Sequence, residues 1–277
     1  MRVGRGGRVA WWAFGVLVLL FVYVPMAVVA VNSFNQDRTF GWPPSGFTTK
    51  WWTTAFAADG PREALLTSVK AGVGATLLAL VLGSLLSLAL SRYEFFGKSA
   101  VNLLVILPIA LPGIVTGLAL QSVITSFLTP VLGVPAGLFT IILGHATFCI
   151  VVVFNNVTAR LRRMGTSLEM ASADLGAGRW MTFRRVTFPL IRSALLAGAL
   201  LAFALSFDEI VVTTFTAGPG TPTLPIWIYN NLFRPNQAPV VNVVAVVLVV
   251  FSILPVWLAQ RLGGGAADAR SAGAGQS

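Results

Sequence analysis

The 277 residues are 56% hydrophobic and only 10% charged, a balance that excludes a soluble globular domain and places the chain among integral membrane proteins. The formal charge of +10 does not point to nucleic acid, because the arginines are spread over loops between apolar runs and form no single basic face. A single cysteine, Cys149, excludes an intramolecular disulfide or a thiolate metal cluster and reads as a small buried side chain.

Arg2, Arg5 and Arg8 precede an uncharged run, 9–31, long enough at about 1.5 Å per residue to cross a hydrocarbon core of about 30 Å. It predicts the first span and an uncleaved anchor, since the run exceeds a signal h-region and no small-x-small site follows. Residues 32–66 read as the main external loop, with Trp42, Trp51 and Trp52 suited to the headgroup level. The second span covers 69–90. Arg92 and Lys98 mark an internal turn, where Gly97-Lys98-Ser99 is no phosphate-binding loop because Arg92 stands where that loop needs a glycine. The third apolar run, 100–128, is too long for one upright span and carries Pro108, Pro112, Gly113 and Gly117. It is expected to bend, either to line a pathway or to improve packing. A short external turn, 129–135, leads to the fourth span, 136–157. His145 inside it reads first as a hydrogen-bonded packing element and second as a proton relay.

The basic stretch 160–192 follows, and its arginines at 160, 162, 163, 179, 184, 185 and 192 cannot sit in hydrocarbon. It predicts an aqueous internal loop. Within it Thr166 and Glu169 have the form of a capping box and Gly176 supplies a stop, so a short helix is expected with Leu168, Ala171 and Leu175 on one apolar face. After Gly178, the residues Trp180, Phe183 and Val186 repeat that pattern, and Pro189 is expected to end a second short helix.

The fifth span, 194–215, contains Phe207, Asp208 and Glu209. An acid at a span centre costs about 2.5–3.5 kcal/mol on insertion scales, so the pair needs water, a cation or a buried partner. One acid is expected to face the pathway and the other to make a structural contact; the alternative is a buried hydrogen bond to a neighbouring span. The turn-rich loop 217–239 reads as external, with Trp227 and Tyr229 at the interface, and 240–259 as the sixth span. Arg261 and Arg270 then close the chain on the inside, and six spans with both ends inside fit the distribution of basic residues.

The run Glu169-Met-Ala-Ser-Ala-Asp-Leu-Gly-Ala177, followed by Phe188-Pro189, resembles the cytoplasmic signature loop of permease subunits in bacterial ABC importers. Ser206-Phe-Asp-Glu-Ile-Val-Val-Thr-Thr-Phe215, Gly218-Pro-Gly220, Leu224-Pro-Ile-Trp-Ile-Tyr229, Tyr23-Val-Pro-Met26 and Asn32-Ser-Phe-Asn35 are similar to the second permease of the spermidine/putrescine-type branch. The resemblance implies an all-α integral membrane protein, one permease domain of six transmembrane helices with the type I importer fold. A cytoplasmic coupling helix would lie between spans 4 and 5. It also implies a multi-pass protein of the bacterial inner membrane with both termini cytoplasmic.

By the same resemblance the chain is not an enzyme and binds no cofactor, ATP and Mg belonging to a cytosolic ABC ATPase dimer. Its other implied partners are a second homologous permease, an extracytoplasmic substrate-binding protein and membrane lipid. ATPase coupling falls to Glu169, Met170, Ala171, Asp174, Leu175, Gly176 and Ala177, and the polyamine pathway to Asp208, Glu209 and Phe207. No residue is expected to be catalytic or to ligate a metal. One position departs from the family: its signature glutamate falls on Met170, and Glu169 stands one place earlier, a rotation of about 100° on a helix. Glu169 therefore does not inherit the reach toward a basic group on the ATPase. The alternatives are an importer permease for an anion or metal complex, or a self-sufficient secondary transporter using Asp208, Glu209 and His145. A structured internal loop is what such a carrier does not need.

Overall fold

Among the residues that the computed structural model describes, 4–39, 42–234 and 236–271, the regular elements are helices, as lipid requires of a chain that is not a closed barrel. Arg2 lies outside the described residues. In chain order the helices are α1 (Arg5–Asn32), α2 (Lys50–Ala57), α3 (Asp59–Arg92), α4 (Lys98–Ala110), α5 (Gly113–Val123), α6 (Thr129–Leu132), α7 (Leu138–Met164), α8 (Ser167–Asp174), α9 (Arg179–Thr182), α10 (Phe188–Phe207), α11 (Val211–Thr216), α12 (Leu224–Asn231) and α13 (Ala238–Ser271). Among the described residues six helical stretches are long and apolar enough to cross a membrane: Gly6–Asn32, Asp59–Arg92, Gly113–Leu132, Leu138–Met164, Arg179–Phe207 and Ala238–Leu258.

Of the boundaries that differ from the sequence expectation, four have a local reason. The second span starts at Asp59, earlier than 69, because Asp59 suits the positive end of a helix and Pro61 is tolerated in the first turn. The third run is two helices, not one bent one. Leu111, ahead of Pro112, is pushed to an extended conformation (ψ 145°) and ends α4, although Pro108 stays inside it. The turn expected at 129–135 begins later, since the helix continues through Pro130 to Leu132 and stops at left-handed Gly133. Likewise Pro189 does not end a helix: α9 runs on into α10. At both prolines a wide turn comes first, with Thr129 N–H bonding to Ile124 O and Phe188 N–H to Phe183 O. Each proline thus stands where the ladder changes register, and its missing amide removes a bond already disturbed.

The chain divides into two compact units, residues 1–62 with 227–249 and residues 63–226 with 250–277. In the first, the loop after α1 folds back on itself through an Asn35–Phe47 bridge, with Gln36 N–H on Gly46 O at 2.9 Å and Thr48 N–H on Phe34 O at 2.7 Å. Buried Trp51 donates its indole N–H to Asn35 O at 2.8 Å, and Trp52 stacks on Phe34 at 5.3 Å. Trp51 and Trp52 therefore pin the loop to α2, and of the three tryptophans assigned to the headgroup level only Trp42 is left exposed.

In the second unit α3, α7, α10 and α11 share a core that includes Ala75, Ala79, Cys149, Val153, Val157, Leu161, Ile191, Ala202 and Val212. In lipid no hydrophobic force draws helices together, so close backbone approach and interhelical bonds must do so. Small residues on α3 permit the approach, and Ser87 Oγ donates to Phe154 O at 3.0 Å while accepting from Thr158 Oγ1 at 3.2 Å. Cys149 is buried and points its thiol at Ala202 O, 3.3 Å away. A Cβ added at Gly83 would lie 2.9 Å from Ile150 O and 3.1 Å from Val153 Cβ. Gly83→Val is expected to lower thermal stability in detergent by about 1–3 kcal/mol through overpacking. Gly15→Ala in α1, with open space around it, should leave the transition unlowered.

Candidate functional site

Two places combine polar chemistry with irregular backbone: the connection from α7 to α10, and a break after α10. The first begins where α7 ends at Gly165, in the left-handed region at φ 68°. Thr166 occupies the cap of α8 but makes no side-chain cap bond, so the expected capping box does not form. Glu169 is turned the other way. Its Oε2 lies 2.7 Å from Arg92 Nε as a charge contact, while Arg92 Nη2 donates to Oε1 at 3.2 Å and Thr187 Oγ1 donates to the same oxygen at 2.7 Å. A guanidinium and a hydroxyl together outcompete one backbone amide for the carboxylate. Arg92 Nη2 also reaches Gly165 O at 3.0 Å.

The far end of α8 is closed by a Schellman motif. Gly176, at φ 81°, donates its N–H to Ala173 O at 2.8 Å and Ala177 to Ser172 O at 3.1 Å. Ser172 Oγ and Thr182 Oγ1 meet at 3.0 Å, bracing α8 against α9. Glu169 and Ser172 of this helix are thus engaged by the rest of the chain, while Leu168 and Met170 are exposed, Leu175 is 89% exposed and Trp180 71%. Asp174 is also exposed.

At the second place α10 stops at Phe207, inside the stretch read as an unbroken span at 194–215, and the chain resumes as α11 at Val211. Glu209 Oε1 accepts Val212 N–H at 2.8 Å and so caps the positive end of α11. Asp208 is exposed and, among the described residues, forms no ion pair. Phe207 is only 1% exposed and stacks between Phe203 and Phe251 at centroid distances of 5.7 and 5.9 Å.

His145 on α7 clamps the break. Its Nδ1 lies 2.7 Å from Ser206 Oγ and its Nε2 lies 2.8 Å from Thr213 Oγ1, one hydroxyl on either side of the gap. Thr213 spends its only hydroxyl proton on Glu209 O at 2.9 Å, so it accepts from Nε2–H, and Ser206 donates to Nδ1. Both ring nitrogens are therefore occupied in a packing role. Thr140 Oγ1 fastens the other end of α11 through Thr216 O at 2.7 Å. Gly113 and Gly117 let α5 approach α11: a Cβ at Gly117 would collide with the Phe215 ring, and one at Gly113 would touch Val211 Cγ1 at 3.4 Å. These glycines serve packing.

Sequence reasoning missed Arg92, Thr187, Ser206 and Thr213 as site residues. Arg92 read as a topology charge, Thr187 as an unremarked residue of the internal loop 160–192, and Ser206 and Thr213 as ordinary residues of the fifth span, because no local spacing links 92 to 169 or 145 to 206.

The profile of the family described as "Binding-protein-dependent transport system inner membrane component" matches residues 75–265. The chain is 34% identical over 256 residues to the spermidine/putrescine transport system permease protein PotC of Escherichia coli K12, covering 92% of this chain and 94% of that protein. It is 32% identical over 243 residues to the putrescine transport system permease protein PotI of the same organism, covering 86% and 85%. The crystal structure of a bacterial ABC transporter involved in the import of the acidic polysaccharide alginate aligns with a TM-score of 0.65 at 13% identity, over 92% of this chain and 96% of that one, a likeness of fold. The family match spans the α8 connection and the break after α10 alike, and with six apolar helices the chain is a multi-pass protein of the bacterial inner membrane. It belongs to the inner-membrane components of binding-protein-dependent transport systems, with the fold of a type I ABC importer permease.

Proposed function

We propose that this chain is one of two permeases of a polyamine importer, forming with a second, homologous permease the path for spermidine or putrescine. The observation that carries the reading is the exposed Asp208 carboxylate at the end of α10, in a chain 34% identical to a spermidine/putrescine permease. The last carbonyls of a helix carry partial negative charge, and a carboxylate there adds to it, which favours an ammonium group. Glu209, by contrast, is engaged by the Val212 amide and acts as a structural cap. The chain is a transport component, not an enzyme.

The arginine-rich α7–α10 connection, the Arg92–Lys98 turn and both termini lie on the cytoplasmic side, in keeping with the positive-inside bias. There α8 is the coupling helix, docking through Leu168, Met170 and Leu175 on a cytosolic ATPase dimer that carries ATP and Mg. With Met170 in place of the signature glutamate, the contact at that position is apolar. Six spans are few for a complete pathway, which supports the pairing with a second permease, and α1, with none of its apolar window buried, is open to lipid and neighbouring subunits. An extracytoplasmic binding protein delivers the solute to the opposite face. An autonomous carrier is disfavoured by family membership and by His145, whose two nitrogens are both taken by hydroxyls.

Gly176→Val places a β-branched residue at φ 81°, which costs about 1–2 kcal/mol and distorts the end of α8. Stimulation of the ATPase by liganded binding protein is expected to fall while membrane insertion stays normal; unchanged uptake and stimulation would count against docking through α8. Replacing Asp208 and Glu209 with their amides removes from Asp208 a charge-assisted bond to an ammonium, about 1.5–3 kcal/mol, and weakens the Glu209 cap on α11, so uptake of labelled putrescine and spermidine should drop about tenfold or more. Wild-type uptake by an assembled double variant would remove the pair from the solute path.

A further inference from the structure

We infer that Arg92, Glu169 and Thr187 form a tie that makes α8 move as one body with the ends of α3 and α10, so that displacement of α8 reaches both spans without slack. The inference rests on the reading of α8 as the docking helix and assigns positioning roles that the docking reading does not contain.

Left to itself α8 would transmit little. It is eight residues long, buries none of them fully, and is flanked by Gly165, Gly176 and Gly178, around each of which there is open space. An isolated helix of that length is unstable in water, and glycine joints on both sides let it swing. Among the described residues its side-chain links to the rest of the protein are Glu169, to Arg92 and Thr187, and Ser172, to Thr182. Ser172 reaches only the neighbouring turn. Among the described residues Glu169 is the one side chain of α8 that is hydrogen-bonded to the ends of both long helices.

The anchors lie where force would need to enter. Arg92 is the last residue of α3, whose Ala75 and Ala79 lie in the core, and Thr187 directly precedes α10, whose Ile191 lies in the same core. Thr187 is buried, and the side chains of Arg92 and Glu169 are 17% and 18% exposed, so the pair is largely shielded from water and salt. Arg92 also holds Gly165 O, which fixes the joint at the start of α8 along with its body. Glu169 gains this by giving up the helix cap that its sequence position offers.

The test uses the complete complex reconstituted in liposomes, reading ATP hydrolysed per polyamine imported and the amount of ATPase that co-purifies. Arg92→Ala and Glu169→Ala are expected to raise the ATP-to-solute ratio about tenfold, within the range typical of a coupling free energy, with ATPase still bound. Thr187→Val, which removes only one hydroxyl, should shift it in the same direction and by less. The double variant Arg92→Ala/Glu169→Ala strands no charge, yet should stay uncoupled, and the exchange Arg92→Glu/Glu169→Arg should recover coupling in part. Normal coupling in the double alanine variant would mean that only a stranded charge had mattered, and would overturn the tie. Loss of bound ATPase in the single variants, with normal coupling per assembled complex, would also overturn it by assigning Glu169 to the docking contact. Should Arg92→Ala not fold, Thr187→Val and the exchange decide the matter. Leu175→Asp leaves the tie intact and tests docking alone: normal coupling there removes the docking reading and the tie with it. Loss there, with normal coupling in the Arg92 and Glu169 variants, removes the tie only.

Discussion

A peptide group that leaves a helix inside a membrane finds no water, so the protein must supply its partner. The break at Asp208–Ile210 meets that demand with side chains: His145 spans Ser206 and Thr213, Thr213 holds Glu209 O, Glu209 holds Val212 N–H, and Thr140 holds Thr216 O. Thr213, Glu209 and Thr140 bond backbone groups in place of solvent, and His145 braces a hydroxyl on either side of the gap. The break is thereby a fixed feature of the bundle, and the carboxylate beside it has a defined position.

The same economy governs charge. Arginines excluded from hydrocarbon collect at helix ends, and one of them, Arg92, becomes a structural partner there. It pairs with Glu169 of α8, while Leu168, Met170 and Leu175 of that connection are exposed. The one-place offset between Glu169 and the family's signature position thus has a physical meaning. Residue 169 is bonded to Arg92 and Thr187, whereas residue 170 is exposed.

Helix α10 connects the two places. It begins beside Thr187, which touches Glu169, and ends at Phe207, next to Asp208. Its twenty residues, at about 1.5 Å each, make a rod about 30 Å long, the thickness of the hydrocarbon core. The helix between them is continuous and packs along α7 through Ile191 and Ala202.

Much of this was legible in the chain alone. Apolar runs of sufficient length give the number of crossings, and the arginine-rich stretch gives the place and aqueous nature of the connection. The glycine at 176 gives the end of α8, because these features depend on composition and on interactions within a few residues. Breaks and pairings were not legible. Nothing local distinguishes the helix that stops at Phe207 from one that continues to 215, or shows that Pro189 is tolerated and Pro112 is not; a neighbouring helix decides, by supplying or withholding partners for the freed groups. The sequence by itself determined that this is a multi-pass membrane protein with an arginine-rich connection and two adjacent acids, Asp208 and Glu209, in its fifth apolar run. Only the tertiary structure decided that Glu169 belongs to Arg92 rather than to its own helix cap, and that His145 clamps a break, since both contacts join residues more than sixty positions apart.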